Sequence, residues 1–223
     1  ESLDLAFRLA QKNGVVFCTY ADMLRVPGSI GSEDGVVHDL YSIRAMGADI
    51  RTVYSPLEVV EMAKADPNRD FVFFAVGFET TAPAHALSVL YADNLGLKNF
   101  SILVSHVRVP PALEYILSAA DCQVQGFLAA GHVCTVMGTR EYIPISEKYN
   151  VPIVVTGFEP VDLLEGILYC VNQLEQGKHE VKIQYSRAVK SAGNSVAQTA
   201  VDKVFEHGDQ LWRGVGWIKE SGL

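Results

Sequence analysis

The stretch Phe71-Val-Phe-Phe-Ala-Val-Gly-Phe-Glu-Thr-Thr-Ala-Pro83 decides the fold of this chain. Its first six residues are apolar without polar alternation, which is typical of a strand that is buried on both faces. Gly77 then permits a tight exit from the strand, and a threonine followed by Pro83 suits the start of a helix. Because such a strand needs helices on both sides of its sheet, the stretch favours an α/β protein.

Strand-like runs and helix-period segments alternate on both sides of this stretch. A first set of strands is predicted at 15–20, 49–54, 71–76 and 100–105, and a second set at 125–129, 151–156 and 181–185. Helices are predicted between them, at 2–12, around 36–46 and from Ser55-Pro-Leu-Glu58, which combines a serine cap with a proline in the first turn. Pro110-Pro111 opens a further helix. This alternation is typical of βαβ units.

The order of the elements predicts two small lobes with mainly parallel sheets flanked by helices. We place the first lobe at residues 1–107 and the second lobe, with a C-terminal extension, at residues 108–223. One continuous sheet is the alternative. An internal echo favours two lobes related by a pseudo-twofold axis, because Phe73-Phe-Ala-Val-Gly-Phe-Glu-Thr80 and Ile153-Val-Val-Thr-Gly-Phe-Glu-Pro160 share a strand, a Gly-Phe-Glu tripeptide and a helix start.

Composition and charge exclude several classes of function. Hydrophobic residues make up 49% of the chain and charged residues 20%, so we expect a buried core and no extended disorder. The formal net charge of −8 argues against sequence-independent binding to nucleic acid or to an anionic membrane. No run approaches the ~18 apolar residues of a membrane span, and the acidic first residues do not resemble a signal peptide. We therefore expect a cytoplasmic protein.

The four cysteines do not form a recognisable metal motif. They stand at Cys18, Cys122, Cys134 and Cys170, without a CxxC pair and with spacings that match no zinc pattern. We interpret them as reduced thiols of the core and expect neither a metal site nor a bound cofactor in this chain.

The leading candidates for a functional site lie where predicted strands end. In open parallel sheets the ligand crevice lies at the carboxyl ends of the strands. Glu79 follows the third strand, as a helix cap or salt-bridge partner, or as a carboxylate for hydrogen bonding or proton transfer. His106 closes the fourth strand, as a structural residue or as part of a cleft. We predict that Glu79, Thr80 and His106 converge on a cleft between the lobes.

Weaker candidates lie elsewhere in the chain. His132 and Cys134 are two residues apart, in Gly131-His-Val-Cys134, and no third partner for nucleophilic catalysis is visible. Arg25 pairs with Asp22 or holds an anionic group at the mouth of the sheet. The remaining histidines are interpreted as solvated or structural: His38, His85, His179 and His207.

Several segments together resemble the HypD family of hydrogenase-maturation proteins, in order and over essentially the whole chain. They are Cys18-Thr-Tyr-Ala-Asp-Met-Leu-Arg-Val-Pro-Gly-Ser29, Val53-Tyr-Ser-Pro56, the stretch from Phe73 to Pro83, Gly131-His-Val-Cys-Thr-Val-Met-Gly138, Val155-Thr-Gly-Phe-Glu-Pro160, Gln184-Tyr-Ser-Arg187 and Trp212-Arg-Gly214 to Ser221-Gly-Leu223.

The resemblance implies a scaffold for assembly of the Fe(CN)2CO centre of [NiFe] hydrogenase. It implies HypC and HypE as partners, cyanide delivery through HypE and HypF, and two α/β lobes around a cleft. By position, the cleft motifs of the family correspond to Glu79, Thr80, Thr81, His106, Pro110 and Pro111, with His132 and Glu159 as counterparts on the second lobe.

The resemblance also implies an iron site and a [4Fe-4S] cluster, both held by cysteine motifs. None of those motifs occurs among these 223 residues. A fragment and a truncated relative are both compatible with this absence, and the four cysteines present are not assigned the missing roles. From the residues alone, the alternative function is a small-molecule α/β enzyme that uses Glu79 and His106 as an acid–base pair.

Overall fold

The structure, a computed structural model, describes residues 2–29 and 39–223 and divides into two compact units. Unit 1 comprises Glu1–Gly77 and Ala84–His106, and unit 2 comprises Phe78–Pro83 and Val107–Leu223. The short segment Phe78–Pro83, which carries Glu79, therefore belongs to unit 2 although it follows a strand of unit 1.

Unit 1 contains a parallel sheet of four strands in the order β2-β1-β3-β4. The strands are β1 (Val15–Thr19), β2 (Ile50–Thr52), β3 (Asp70–Gly77) and β4 (Phe100–His106). The uninterrupted apolar run places β3 at the centre, paired with β1 and β4. Gly77 ends β3 with φ of 135°, a backbone conformation that favours glycine, as the sequence predicted.

Helices cover both faces of this sheet. Successive side chains of β3 point to opposite faces, and since both sets are apolar, each face packs against helices. The helices are α1 (Ser2–Ala10), α2 (Leu40–Ala45), α3 (Pro56–Ala65) and α4 (Ala82–Asn94), with a 3₁₀ helix at Ala21–Arg25. Phe74 packs in the cluster that α1 and α2 complete, whereas Phe73 packs in the cluster that α3 completes. The Ser55 hydroxyl caps α3 by accepting a hydrogen bond from Leu57 N at 3.3 Å.

Unit 2 contains a three-stranded parallel sheet in the order β5-β6-β7. Its strands are β5 (Phe127–Ala130), β6 (Ile153–Thr156) and β7 (Val181–Ile183), and its helices are α5 (Val109–Ser118), α6 (Gly131–Met137), α7 (Tyr142–Tyr149), α8 (Pro160–Glu175) and α9 (Ser195–Val204). Ile153 and Val155 of β6 meet Ile145 of α7 in the core, and Leu113 and Leu117 of α5 pack against it.

A two-stranded antiparallel hairpin follows α9, and no pattern in the sequence had predicted it. It consists of β8 (Gly208–Trp212) and β9 (Gly216–Gly222). The Trp212 indole donates a hydrogen bond to the Ser221 hydroxyl at 2.8 Å, and the Ser221 carbonyl accepts one from Arg108 N at 2.8 Å. The hairpin is thereby tied to the start of α5.

The predicted α/β class with two parallel sheets is confirmed. The alternative of one continuous sheet is wrong, since the strands within residues 2–29 and 39–223 pair in separate sheets. The helix predicted around 36–46 is present at Leu40–Ala45, and residues 36–38 lie outside the described residues. The pseudo-twofold relation between the lobes stays a prediction.

Candidate functional site

Three polar side chains form a hydrogen-bonded chain at the carboxyl edge of the sheet of unit 1. Tyr20 follows β1, His85 lies in α4, and His106 is the last residue of β4. The Tyr20 hydroxyl lies 2.9 Å from Nε2 of His85, and Nδ1 of His85 lies 2.6 Å from Nε2 of His106. Because β3 separates β1 from β4, the helix that follows β3 supplies the bridging residue.

The two histidines of this Tyr20–His85–His106 chain are shielded from water, and Tyr20 is partly buried. Both histidines are 0% exposed, and the Phe73 ring meets Tyr20 and His85 edge-on, with centroid distances of 5.4 and 5.1 Å. Burial lowers the pKa of His85 and of His106, and the nearby His85 lowers the pKa of His106 further. Burial also raises the pKa of Tyr20. All three groups are therefore neutral at physiological pH.

Glu79 is a buried carboxylate of unit 2, with 2% of its surface exposed. Its Oε1 accepts a hydrogen bond from the backbone N–H of Val109, the first residue of α5, at 2.7 Å. Burial raises the pKa of Glu79, although backbone hydrogen bonds and the charge of Arg108 act in the opposite direction. Among the described residues, its Oε2 is buried and has no hydrogen-bond partner. One oxygen thus holds α5, while the other keeps its hydrogen-bonding capacity.

Arg108 stands beside this carboxylate and connects three parts of unit 2. Its side chain is 6% exposed; Nη2 donates to the Glu141 carboxylate and Nη1 donates to the Glu220 carbonyl at 2.9 Å. The guanidinium is held by hydrogen bonds from two directions, a geometry that a lysine does not reproduce. An adjacent pocket of about 450 Å³ is lined by Arg108, Pro110, Pro111, Glu141, Lys148 and His207, among others.

The two residues of the Gly-His-Val-Cys segment lie in different environments. Cys134 is fully buried, and burial raises the pKa of its thiol to about 12. His132 is exposed, with its ring centroid 5.0 Å from that of Phe158. A thiol with a raised pKa stays protonated, so Cys134 is a core residue and not an activated nucleophile.

The second Gly-Phe-Glu tripeptide differs from the first in its burial. The side chain of Glu159 is 78% exposed and lies 3.4 Å from Nη2 of Arg187. Arg187 instead binds Asp162 through two hydrogen bonds, of 2.7 Å to Oδ1 and 2.5 Å to Oδ2, which lower the pKa of Asp162 to about 2. The side chain of Gln184 donates to the same carboxylate at 2.9 Å. The Gln-Tyr-Ser-Arg segment therefore holds the start of α8 against β6 and β7.

The other candidates take more ordinary positions. Thr81 donates a hydrogen bond to the Phe78 carbonyl at 3.0 Å, and Thr80 is partly buried beside it. Pro110 and Pro111 lie in the first turn of α5, where a missing N–H costs nothing, and Pro110 is buried. Both residues of the remaining pair, Asp22 and Arg25, are exposed, and the Arg25 guanidinium lies over the Tyr41 ring at 5.3 Å.

Sequence reasoning missed the part that His85 and Tyr20 play. His85 is buried and hydrogen-bonded, so it is a structural residue and not a solvated one. The sequence contained a signal for this, because all the other residues of the run Ala82-Pro-Ala-His-Ala-Leu87 are apolar, which is typical of a buried part of a helix. His38 lies outside the described residues. Whether Glu79 and His106 share a cleft stays a prediction, since they belong to different units.

The residues present do not fit an iron–sulfur cluster. Within residues 2–29 and 39–223, no group of three or more His, Cys, Asp or Glu side chains is arranged to hold a metal ion. Burial raises the pKa of Cys18 and of Cys134 to about 12, the opposite of what a thiolate ligand needs. In the same described residues, no helix is both long and apolar enough to cross a membrane.

Fold and site together define an α/β protein of two parallel-sheet units with buried ionisable side chains near the carboxyl ends of strands. The family model HypD, described as hydrogenase formation hypA family, matches residues 1–223. The chain therefore belongs to the HypD family.

The chain is also similar to curated hydrogenase maturation factors. It is 45% identical to hydrogenase maturation factor HypD of Azotobacter vinelandii and 40% identical to HypD of Escherichia coli K12; each match covers 99% of this chain and 58% of the relative. It is 42% identical to HypD2 of Bradyrhizobium diazoefficiens, with the same coverage. The chain thus spans a little more than half the length of the relatives it matches.

Proposed function

We propose that this chain supplies the central α/β portion of a [NiFe] hydrogenase maturation factor, a scaffold on which the Fe(CN)2CO centre is assembled with HypC and HypE. The observation that carries the proposal is the family match over all 223 residues, together with 40–45% identity to proteins named hydrogenase maturation factors. This match favours the scaffold over the small-molecule enzyme.

Glu79 is the residue of unit 2 that is best suited to act on the cargo. Its position is fixed by α5 through Oε1, so the carboxyl group needs no reorganisation when a ligand arrives. Oε2 is buried without a partner among the described residues, and such a group gains by accepting or donating a hydrogen bond. Because burial raises its pKa, the carboxyl group is closer to its neutral, donating form than an exposed glutamate is.

His106 is the corresponding residue of unit 1. It is fully buried at the carboxyl end of β4, and His85 holds its ring from one side. Cyanide and carbonyl ligands of iron accept hydrogen bonds, and groups that hydrogen-bond to metal ligands tune affinity or activity by about 10–100-fold. In the proposal, Glu79 and His106 supply hydrogen bonds to the iron-bound cargo, while cysteines of the full-length factor hold the iron.

A chimera tests the proposal directly. This chain replaces the matched segment of the Escherichia coli HypD relative, which it resembles at 40% identity over 222 residues. The chimera is expressed in a strain that lacks its own HypD, and hydrogenase activity is measured in extracts beside intact HypD and an empty vector. We expect the chimera to restore maturation and to retain HypC and HypE in an affinity pull-down.

One result would count against the scaffold role: a chimera that accumulates as folded protein but neither matures hydrogenase nor retains HypC. A different result would count only against the proposed contacts with the cargo. This is normal maturation by a chimera in which Glu79→Gln and His106→Gln are combined.

A further inference from the structure

The geometry of the Tyr20–His85–His106 chain leaves few choices for its hydrogens. The two imidazole rings are inclined by only 28°, and their centroids lie 4.8 Å apart. That separation is close to the sum of two ring radii and the 2.6 Å between the nitrogens, so the rings meet edge to edge through a hydrogen bond. One nitrogen of the pair must donate and the other must accept, because both rings are neutral.

The Tyr20 hydroxyl determines which nitrogen donates. It lies 2.9 Å from Nε2 of His85. A phenol is a far stronger acid than the N–H of a neutral imidazole, so the stronger bond has Tyr20 as donor and Nε2 as acceptor. His85 then carries its hydrogen on Nδ1 and donates to Nε2 of His106. His106 in turn carries its own hydrogen on Nδ1.

We propose that Tyr20 and His85 are positioning residues that hold His106 as the neutral tautomer with its hydrogen on Nδ1. The chain fixes the His106 ring and places its uncharged N–H donor at the carboxyl end of β4. Free histidine in water prefers the other neutral tautomer, so the arrangement is imposed by the fold. That this N–H hydrogen-bonds to an anionic or cyanide-like acceptor rests on the function proposed above. The assignment of the tautomer does not depend on that function.

The surroundings support a fixed state. Phe73 of β3 packs edge-on against both Tyr20 and His85, which keeps water away from the His85 ring. The His85 backbone carbonyl accepts a hydrogen bond from the Ser88 hydroxyl at 2.7 Å, which fixes the helix around it. A buried polar chain in which every link is made is rigid, and this rigidity is what positioning requires.

Long-range 1H–15N correlation NMR of the histidine rings tests the inference on this chain. In the wild type we expect Nδ1 of both His85 and His106 to show protonated-type shifts, and Nε2 of both to show unprotonated-type shifts. Single His85→Gln and His106→Gln variants assign the signals. A wild-type His106 with its hydrogen on Nε2, or with rapid exchange between tautomers, overturns the proposal without any functional assay.

Tyr20→Phe then tests the part of the tyrosine. It removes the donor but keeps the ring against Phe73, so we expect the Nε2 signal of His106 to move toward the protonated type as the tautomers mix. Tyr54→Phe is the matched control, because Tyr54 is 96% exposed, and its spectrum should equal that of the wild type. Unchanged tautomers in a folded Tyr20→Phe variant overturn the proposal. The chimera assay is read separately: if Tyr20→Phe mixes the tautomers and the chimera that carries it still matures hydrogenase normally, the functional role is contradicted and the positioning is not.

Discussion

Oε1 of Glu79 accepts a hydrogen bond from the backbone N–H of Val109 at 2.7 Å, so a buried carboxylate holds the first residue of α5. A negative charge at a helix N-terminus is stabilised by the helix dipole and by the unpaired N–H groups there. Arg108, the residue before Val109, lowers the pKa of the same carboxyl group. Glu79 is therefore part of the framework of unit 2 as well as the leading candidate for contact with the cargo.

Because Glu79 holds α5 through one oxygen, two substitutions of Glu79 should change the free energy of unfolding by different amounts. Glu79→Gln keeps an oxygen acceptor for Val109, so we expect its free energy of unfolding to stay within about 1 kcal/mol of the wild type. Glu79→Ala leaves the N–H of Val109 unpaired and should cost about 1–3 kcal/mol. Urea denaturation measures both, with the exposed Glu159→Ala as a control expected within about 0.5 kcal/mol. Equal losses for Gln and Ala would show that the charge, and not the acceptor, holds α5.

The same Glu79→Gln substitution predicts a functional effect. In the chimera described above, we expect hydrogenase maturation to fall by about 10–100-fold, because the amide does not reproduce both protonation states of the carboxyl group. Glu175→Gln is the control, because Glu175 is exposed at the last residue of α8 and should leave maturation unchanged. Normal maturation by Glu79→Gln would contradict the proposed contact with the cargo.

The buried histidines predict that the protein loses stability on acidification. Burial lowers the pKa of His85 and of His106 in the folded state, whereas the pKa of a histidine in the unfolded chain is about 6.5. Below that pH the unfolded chain binds more protons than the folded protein, so the free energy of unfolding falls as the pH falls. Urea midpoints between pH 7.5 and 5.5 should therefore decrease, and less steeply in His85→Gln. A wild-type midpoint that is flat over this range would contradict neutral, buried imidazoles. The raised pKa of Glu79 acts in the opposite direction at lower pH.

We expect the two partners of the Arg108–Glu141 ion pair to contribute unequally to the free energy of unfolding. Its side chain is 6% exposed, whereas that of Glu141 is 41% exposed. Arg108→Lys loses the fork that reaches both Glu141 and the Glu220 carbonyl, and we expect a loss of about 1–3 kcal/mol. Glu141→Gln keeps an acceptor near water and should cost less than about 1 kcal/mol. Thermal and urea unfolding of both variants measure the difference, and a larger loss for Glu141→Gln would contradict this account.

From its cysteines, we expect that the isolated chain does not bind an iron–sulfur cluster. Cys18 and Cys134 are buried thiols with raised pKa values, and iron–sulfur clusters need thiolates in fours. We expect the purified chain to be colourless and to take up no stoichiometric iron and acid-labile sulfide during anaerobic reconstitution. Intact Escherichia coli HypD carried through the same procedure is the comparison. A stable brown protein with a cluster absorption band would contradict the prediction.

Local signals explain why so much of the fold is predictable from the sequence. The unbroken apolar run of β3, the φ of Gly77 and the Ser55 cap of α3 depend on residues a few positions apart. The hairpin of β8 and β9 was missed because its strands mix charged with apolar residues and so lack the apolar run that marks the other strands. Its contacts with Arg108 and α5 come from more than 100 residues away, and no local pattern contains them.

The sequence by itself determined the family, the alternation of strands and helices, and the position of Glu79 and His106 at strand ends, because motifs, periodicity and caps are local properties of the chain. Only the tertiary structure decided which of these side chains are buried and what they touch. Glu79 and Glu159 stand in the same tripeptide, yet one is buried against α5 and the other is exposed. His85 meets His106 because β4 lies beside β3 and the helix that follows β3 carries His85. Burial and the resulting pKa shifts depend on neighbours that folding brings together from distant parts of the sequence.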